Sequence, residues 1–176
     1  DAQRLCQLGA PVRGVMGNFK FDMAPNATQL AQGRAWRTAS ACPVLMFASA
    51  REGEEAMLIE VLKRNRPLAP VGTAQAAPEI IANGVQWLIV PRHPQRFDEV
   101  AALFTAAGYT VARRSQWGAA GPVAADVWLG DSLGEMALYF GLAHAALLGG
   151  SFAPLGGRSL IEAAACGVPV FMGPHT

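Results

Sequence analysis

Charge is scarce in this 176-residue chain: only 15% of its residues are charged, and 13 acidic against 14 basic side chains leave a formal net charge of +1. A protein that follows a nucleic-acid backbone needs a basic face to neutralise phosphates, so no nucleic-acid partner is expected. Cysteine is sparse as well. Cys6, Cys42 and Cys166 are odd in number, widely spaced and without a Cys-x-x-Cys pair, which argues against a disulfide framework or a zinc site and for reduced thiols. No apolar run reaches the roughly 18 residues of a membrane-spanning helix, and the N-terminus lacks a signal-peptide layout. The chain has no initiator Met and stops just after an apparent strand, VPVFM, so it reads as a fragment of a longer protein.

Chemical signatures are missing too. There is neither a Gly-Lys-Ser/Thr phosphate loop nor a Gly-x-Gly-x-x-Gly fingerprint, which counts against an NTPase or a dehydrogenase. Asp-x-Asp is absent, leaving a metal-dependent sugar-nucleotide site unsupported; no metal and no cofactor are expected. An acyl hydrolase is not expected either. His93, His144 and His175 are scattered without ligand spacing, and His144 reads as a satisfied, semi-buried side chain beside a strand. Trp36, Trp87, Trp117 and Trp128 read as core rather than as a stacking platform.

What is present is a 52% hydrophobic composition, enough for a well-filled core, arranged as short apolar runs alternating with helix-like segments. The strand candidates are VRGVM (12–16), PVLMFA (43–48), VQWLIV (85–90), YTVAR (109–113), ADVWL (125–129), AALLG (145–149) and VPVFM (168–172). Several are apolar throughout, as expected of strands covered on both faces of a parallel sheet. Helices are expected near 27–39, 53–65, 95–107, 134–141 and 159–166, and the Pro- and Ala-rich piece 67–78 as a loop. This alternation predicts an α/β fold: a Rossmann-like, doubly wound, mainly parallel sheet with helices on both faces.

Three strand-to-helix junctions share a pattern: Ser49-x-x-Glu52, Ser132-x-x-Glu135 and Ser159-x-x-Glu162. Each has capping-box spacing, in which the serine bonds the third helical N–H and the glutamate reaches back. In an open α/β sheet such junctions lie at the carboxyl ends of the strands, where ligands bind. The last one closes the glycine-bracketed stretch GGSFAPLGGRSLIE (149–162), which reads as a surface turn with a helix cap or as a phosphate-cradling loop, and the cap alone is enough to explain it. In PRHPQRF (91–97), Arg92 leaves a strand end toward the same cleft, where a guanidinium could hold a phosphate bidentately; it could also be an ordinary loop residue. In GDSLGE (130–135), Glu135 is either an acceptor for a sugar hydroxyl or only a capping carboxylate.

Seven stretches taken in order resemble the C-terminal half of bacterial 3-deoxy-D-manno-octulosonic acid (Kdo) transferases. They are GNFKFD (17–22), AS-x-x-EGEE (48–55), PRHPQRF (91–97), GDSLGE (130–135), GGS (149–151), GG-x-x-x-x-EA (156–163) and GVPVFMGPHT (167–176). The resemblance implies a GT-B glycosyltransferase, two Rossmann-like domains facing a cleft, that moves Kdo from CMP-Kdo to a lipid A precursor with inversion. It implies that residues 1–11 end an interdomain segment and that residues 12–176 form the nucleotide-sugar-binding domain. The catalytic base, the acceptor site and the association with the bacterial inner membrane would belong to an N-terminal half outside this chain, so no catalytic residue is expected here. By the same resemblance CMP would be held by Pro91, Arg92, Leu133, Gly134, Glu135, Ser159, Leu160, Ile161 and Glu162, with Ser49, Gly150, Ser151, Gly157 and Arg158 as further candidates.

Two departures stand out. Gly156-Gly157-Arg158-Ser159 occupies the place where the family usually reads Gly-Gly-His-Asn, and Ser49-Ala50-Arg51-Glu52 the place of Ser-Thr-His-Glu. Leu160 and Ile161 can contact a ligand polar group only through backbone N–H. The alternatives are the donor half of another GT-B enzyme using a UDP- or ADP-sugar, and a non-catalytic α/β module whose junctions are purely structural.

Overall fold

Residues 2–14, 24–65, 84–154 and 160–175 are described by the computed structural model. In chain order the elements are α1 (Ala2–Gln7), α2 (Ala27–Ala39), β1 (Val44–Ala50), α3 (Glu54–Arg64), β2 (Gln86–Pro91), α4 (Phe97–Ala106), β3 (Val111–Arg113), β4 (Val127–Leu129), α5 (Met136–Leu142), β5 (Ala145–Leu148), α6 (Ile161–Ala165) and β6 (Val170–Met172). Short 3-10 turns at Pro94–Arg96 and Arg114–Gln116 lead into α4 and out of β3.

The six strands lie in one sheet in the order β3-β4-β2-β1-β5-β6, and every neighbouring pair is parallel. The α/β doubly wound expectation therefore holds. The chain first builds outward from β1 through β2 to β4 and β3, then returns to the other side of β1 for β5 and β6. That reversal makes the β1/β5 boundary a topological switch point, with a crevice outside the carboxyl ends of the two strands.

Alternation along the strands feeds two cores. Val44, Met46 and Ala48 of β1, with Leu88 and Val90 of β2, meet α2, α5 and α6. Phe47, Ile89, Val127 and Leu129 meet α3 and α4 through Leu58, Ile59, Val100 and Phe104. Leu88, Ile89 and Phe104 are almost wholly buried, each contributing about 1.5–3 kcal/mol relative to an exposed position. The first core also holds three of the four tryptophans: Trp117 packs edge-on against Trp36 and Trp128, with centroids 5.9 and 5.7 Å apart. Trp87 is partly buried against the second core, so all four are structural, as their positions suggested.

Local sequence explains the helix ends. Asn26 opens α2, its side-chain oxygen accepting from Gln29 N–H at 3.0 Å. Glu54 and Glu55 occupy the first turn of α3 and Lys63 and Arg64 its last, matching the helix dipole. Helices α2 and α5 approach closely enough that a Cβ on Gly141 would lie 2.6 Å from the Leu30 carbonyl oxygen. Only glycine permits that approach.

The differences from expectation are local. Helix α1 was not anticipated, and it buries none of its residues. Residues 12–14 of the candidate strand VRGVM are not in a strand, while its last two residues and the 67–78 loop lie outside the described residues. Strand β1 runs two residues beyond the predicted end because of a bulge: Ala48 pairs with Val90 and Ala50 with Pro91, so the register shifts across Ser49. The extra residue turns Ala50 toward the same core as Phe47 and holds Ser49 at φ 57°, a left-handed conformation unusual for a residue with a Cβ.

Candidate functional site

A cavity of about 410 Å³ opens at the switch point. Ala48 and Ser49 from the end of β1 and Leu148 from the end of β5 form its floor. Gly134, Met136, Ala137 and Phe140 around the start of α5 form one wall, and Ile161, Glu162 and Ala165 of α6 another. Four of the sequence-selected residues, Ser49, Gly134, Ile161 and Glu162, are thus brought together from three separate junctions. Among the described lining residues Glu162 supplies the one acidic side chain. It is exposed at the rim, yet partial desolvation there pushes its carboxyl pKa above the ordinary value.

Pro91 and Arg92 lie one strand away. Pro91 ends β2 against Ala50, and the Arg92 N–H donates to the Ala50 carbonyl at 3.1 Å. The Arg92 side chain is half-buried, and its guanidinium makes no hydrogen bond or ion pair with the described residues. Neither of its two readings is decided by that. Arg96, by contrast, forms a forked pair with Glu55, at 2.8 and 3.2 Å, and a second contact to Glu99 at 3.1 Å. Burial pushes the Glu55 carboxyl up, while for Arg96 the hydrogen bonds with Glu99 and Glu55 outweigh the burial that opposes its charge. With both groups hydrogen-bonded in a fork, the pair ties α3 to the start of α4.

The loop 131–135 is built in detail. Leu133 is largely exposed, and Gly134 turns at φ 76° with its carbonyl accepting from the Gln29 side chain at 2.9 Å. The Glu135 carboxylate accepts from Arg114 at 2.9 Å and from the Ser132 hydroxyl. Ser132 also bonds the Tyr139 hydroxyl, and burial, the largest cause, raises the Tyr139 pKa to about 12. Leu160 stands exposed just before α6. Ser159, Gly157 and Arg158 lie outside the described residues, as does all of GNFKFD.

The capping boxes need correcting. Ser49 caps nothing: α3 starts five residues later, after Gly53 at φ 89°. The reaching-back role is taken by Glu54, which accepts the Arg51 N–H at 3.0 Å. Ser132 bonds the Glu135 side chain itself, and α5 begins without a side-chain cap. The 159–162 pair cannot be placed, since Ser159 is outside the described residues.

Gly150 and Ser151 also differ from the ligand contacts proposed for them. The Gly150 N–H donates to both oxygens of the buried Glu54 carboxylate, at 2.8 and 2.7 Å, and the Phe152 N–H to one at 3.1 Å. Ser151 is fully buried; its hydroxyl donates to the Leu148 carbonyl and accepts from the Gly173 N–H. The glycine loop does cradle an anion through its amides, but the anion is the protein's own carboxylate.

Residues 130–134 also spell Gly-x-Ser-x-Gly, the spacing of a hydrolase elbow. The partners of the Ser132 hydroxyl are Glu135 and Tyr139 rather than a histidine, so geometry rather than spacing argues against an acyl hydrolase here. His144 accepts the Val44 N–H through Nδ1 at 3.0 Å; burial first, then Arg37, lowers its pKa, as suits a neutral structural ring. Among the described residues no group of three or more His, Cys, Asp or Glu side chains could hold a metal, and no helix is long and apolar enough to cross a membrane.

Reasoning from sequence missed the cavity's outer wall. Ala24, Pro25, Asn26 and Gln29 line it from before and within α2. The Asn26-x-x-Gln29 spacing signals a helix start, but nothing local could reveal that Gln29 reaches Gly134, 105 residues away.

No protein-family model matches this chain. It is similar along its whole length to curated relatives. The 3-deoxy-D-manno-octulosonic acid transferase of Bordetella pertussis is 50% identical over 177 residues, covering 100% of this chain and 39% of that protein. That of Haemophilus influenzae is 33% identical over 180 residues, with the same coverage of 100% and 39%. The chain thus spans 39% of the length of these relatives. Its fold matches the crystal structure of the C-terminal CMP-Kdo binding domain of WaaA from Acinetobacter baumannii, with a TM-score of 0.63 and 26% identity over 85% of this chain and 72% of that one.

Proposed function

We propose that this chain, homologous over its full length to the Kdo transferases, is the donor-binding half of such an enzyme, holding CMP-Kdo while another part of the protein presents a lipid A precursor. The observation that carries this reading is the cavity at the β1/β5 switch point, lined by Ser49, Gly134, Ile161 and Glu162, in a chain whose fold matches a CMP-Kdo binding domain. Glycosyl transfer with inversion needs a base to deprotonate the acceptor and a means of stabilising the departing phosphate. The Arg92 guanidinium, without a partner among the described residues, suits the second task, supported by the backbone N–H groups of Leu160 and Ile161 and, beside them, Ser159. Glu162, whose carboxyl has no partner among the described residues, accepts from the ribose hydroxyls, and the Leu133-Gly134-Glu135 turn packs on the nucleotide. CMP carries one phosphate, so a few oriented donors suffice and the reading requires neither metal nor cofactor. The base, the acceptor site and the attachment to the bacterial inner membrane belong, in this reading, to the partner half.

Titration calorimetry of this chain with CMP tests the proposal. Saturable binding is expected, with Arg92→Ala weakening it about tenfold or more, the worth of one charge-assisted hydrogen bond. Equal binding by wild type and Arg92→Ala would remove the arginine from the site. A clear preference for UMP or ADP would assign the cavity to another sugar nucleotide. Absence of any nucleotide-induced rise in melting temperature would favour a non-catalytic module.

A further inference from the structure

The loop 131–135 is held from outside at three points. Ser115 donates its N–H and hydroxyl to Asp131 at 2.8 and 2.7 Å. Arg114, its neighbour in the turn after β3, donates to Glu135 at 2.9 Å, and Gln29 holds the Gly134 carbonyl. Arg114 is itself fixed. Its guanidinium lies over Trp36 and Trp117, 5.4 and 5.8 Å from the ring centroids, and its buried Nε has no hydrogen-bond partner among the described residues. A largely buried cation whose one carboxylate partner among the described residues is Glu135 is committed to that partner. Two aromatic faces on a flexible arginine also restrict it to one geometry.

We infer that Arg114 is a positioning residue for the nucleotide: stacked on Trp36 and Trp117, it holds and neutralises the carboxylate of Glu135, which stands between the cavity-lining Gly134 and Met136, so that a phosphate can approach. The inference rests on the nucleotide-binding reading above. Its physical basis is that an uncompensated carboxylate beside a bound phosphate repels it, whereas a paired and oriented one can still accept from a sugar hydroxyl through its remaining lone pairs. Arg114 itself touches none of the residues lining the cavity through a hydrogen bond; it acts through Glu135.

A double-mutant cycle on CMP affinity tests this, using Arg114→Gln, Glu135→Gln and the double variant, at a temperature well below each melting point. Arg114→Gln is expected to weaken CMP binding about tenfold, one displaced charge-assisted contact, while in the Glu135→Gln background the same change has little further effect. Arg114→Lys, which keeps the cation and loses the planar stack, should recover part of the loss. A merely structural arginine would lower the melting temperature equally in both backgrounds and leave affinity unmoved; that outcome, or additive losses, overturns the inference. Should Arg114→Gln fail to fold, Arg114→Lys in the two Glu135 backgrounds reads the same coupling. If the wild-type chain does not bind CMP, the nucleotide reading fails and this inference falls with it; if it binds and Arg114→Gln binds equally, only the inference fails.

Discussion

Replacing Glu54 should unfold this domain more readily than almost any other single exchange of a polar residue. Its side chain is wholly buried, and three backbone amides converge on it: Gly150 N–H at 2.8 and 2.7 Å, Phe152 N–H at 3.1 Å and Arg51 N–H at 3.0 Å. Glu54→Ala removes the acceptor for all three. The Gly150 amide is fully buried and loses a charge-assisted bond with no water to replace it, about 2–3 kcal/mol. The other two are partly exposed and recover some hydration, costing about 0.5–1 kcal/mol each. The sum is about 3–5 kcal/mol, which in a domain of this size lowers Tm by about 10 °C. Glu54→Gln keeps the shape but turns an NH2 group toward N–H donors, so it should lose about 2 kcal/mol rather than none. Denaturant titration at neutral pH reads both, through Cm at unchanged m. If both variants unfold within about 1 kcal/mol of wild type, the glycine loop is not organised by this carboxylate, and its amides are again candidates for a ligand.

Two further outcomes follow from the packing and the electrostatics. Gly141→Ala places a Cβ 2.6 Å from the Leu30 carbonyl and must push α2 from α5; despite the better helix propensity of alanine, it should destabilise by about 1–3 kcal/mol, and a Tm at or above wild type would refute the close approach. The raised carboxyl pKa of Glu162 means that the folded state holds its proton more tightly than the unfolded chain. Its favourable contribution is complete below the ordinary carboxylate pKa and is lost as pH rises through the raised value. Glu162→Gln should remove that loss, so a Tm difference between variant and wild type that fails to grow over this window would show that the carboxyl is not desolvated at the cavity rim.

The alternation of apolar runs with amphipathic segments determined the α/β class, because parallel strands covered on both faces read as continuous hydrophobic stretches whatever their neighbours. Residues 27–39 match α2 because the helix carries its own start signal in Asn26. The boundaries that moved depended on partners far along the chain. Strand β1 runs on past Ala48 only because β2 is there to pair with Ala50, and the bulge at Ser49 exists only within that ladder. Ser-x-x-Glu spacing looks the same whether the glutamate caps its own helix or answers another group, and here distant partners took precedence: Arg114 for Glu135, and for the loop at Gly150 the carboxylate of Glu54. In PRHPQRF the fold presents Glu55 to Arg96 and leaves the Arg92 guanidinium without a partner among the described residues, which the local pattern does not reveal. Sequence alone thus determined which residue types gather at the carboxyl ends of the strands. Tertiary structure decided which of their charges are already spent on the protein, because hydrogen-bond partners separated by 21 to 96 residues are chosen by sheet order rather than by local pattern.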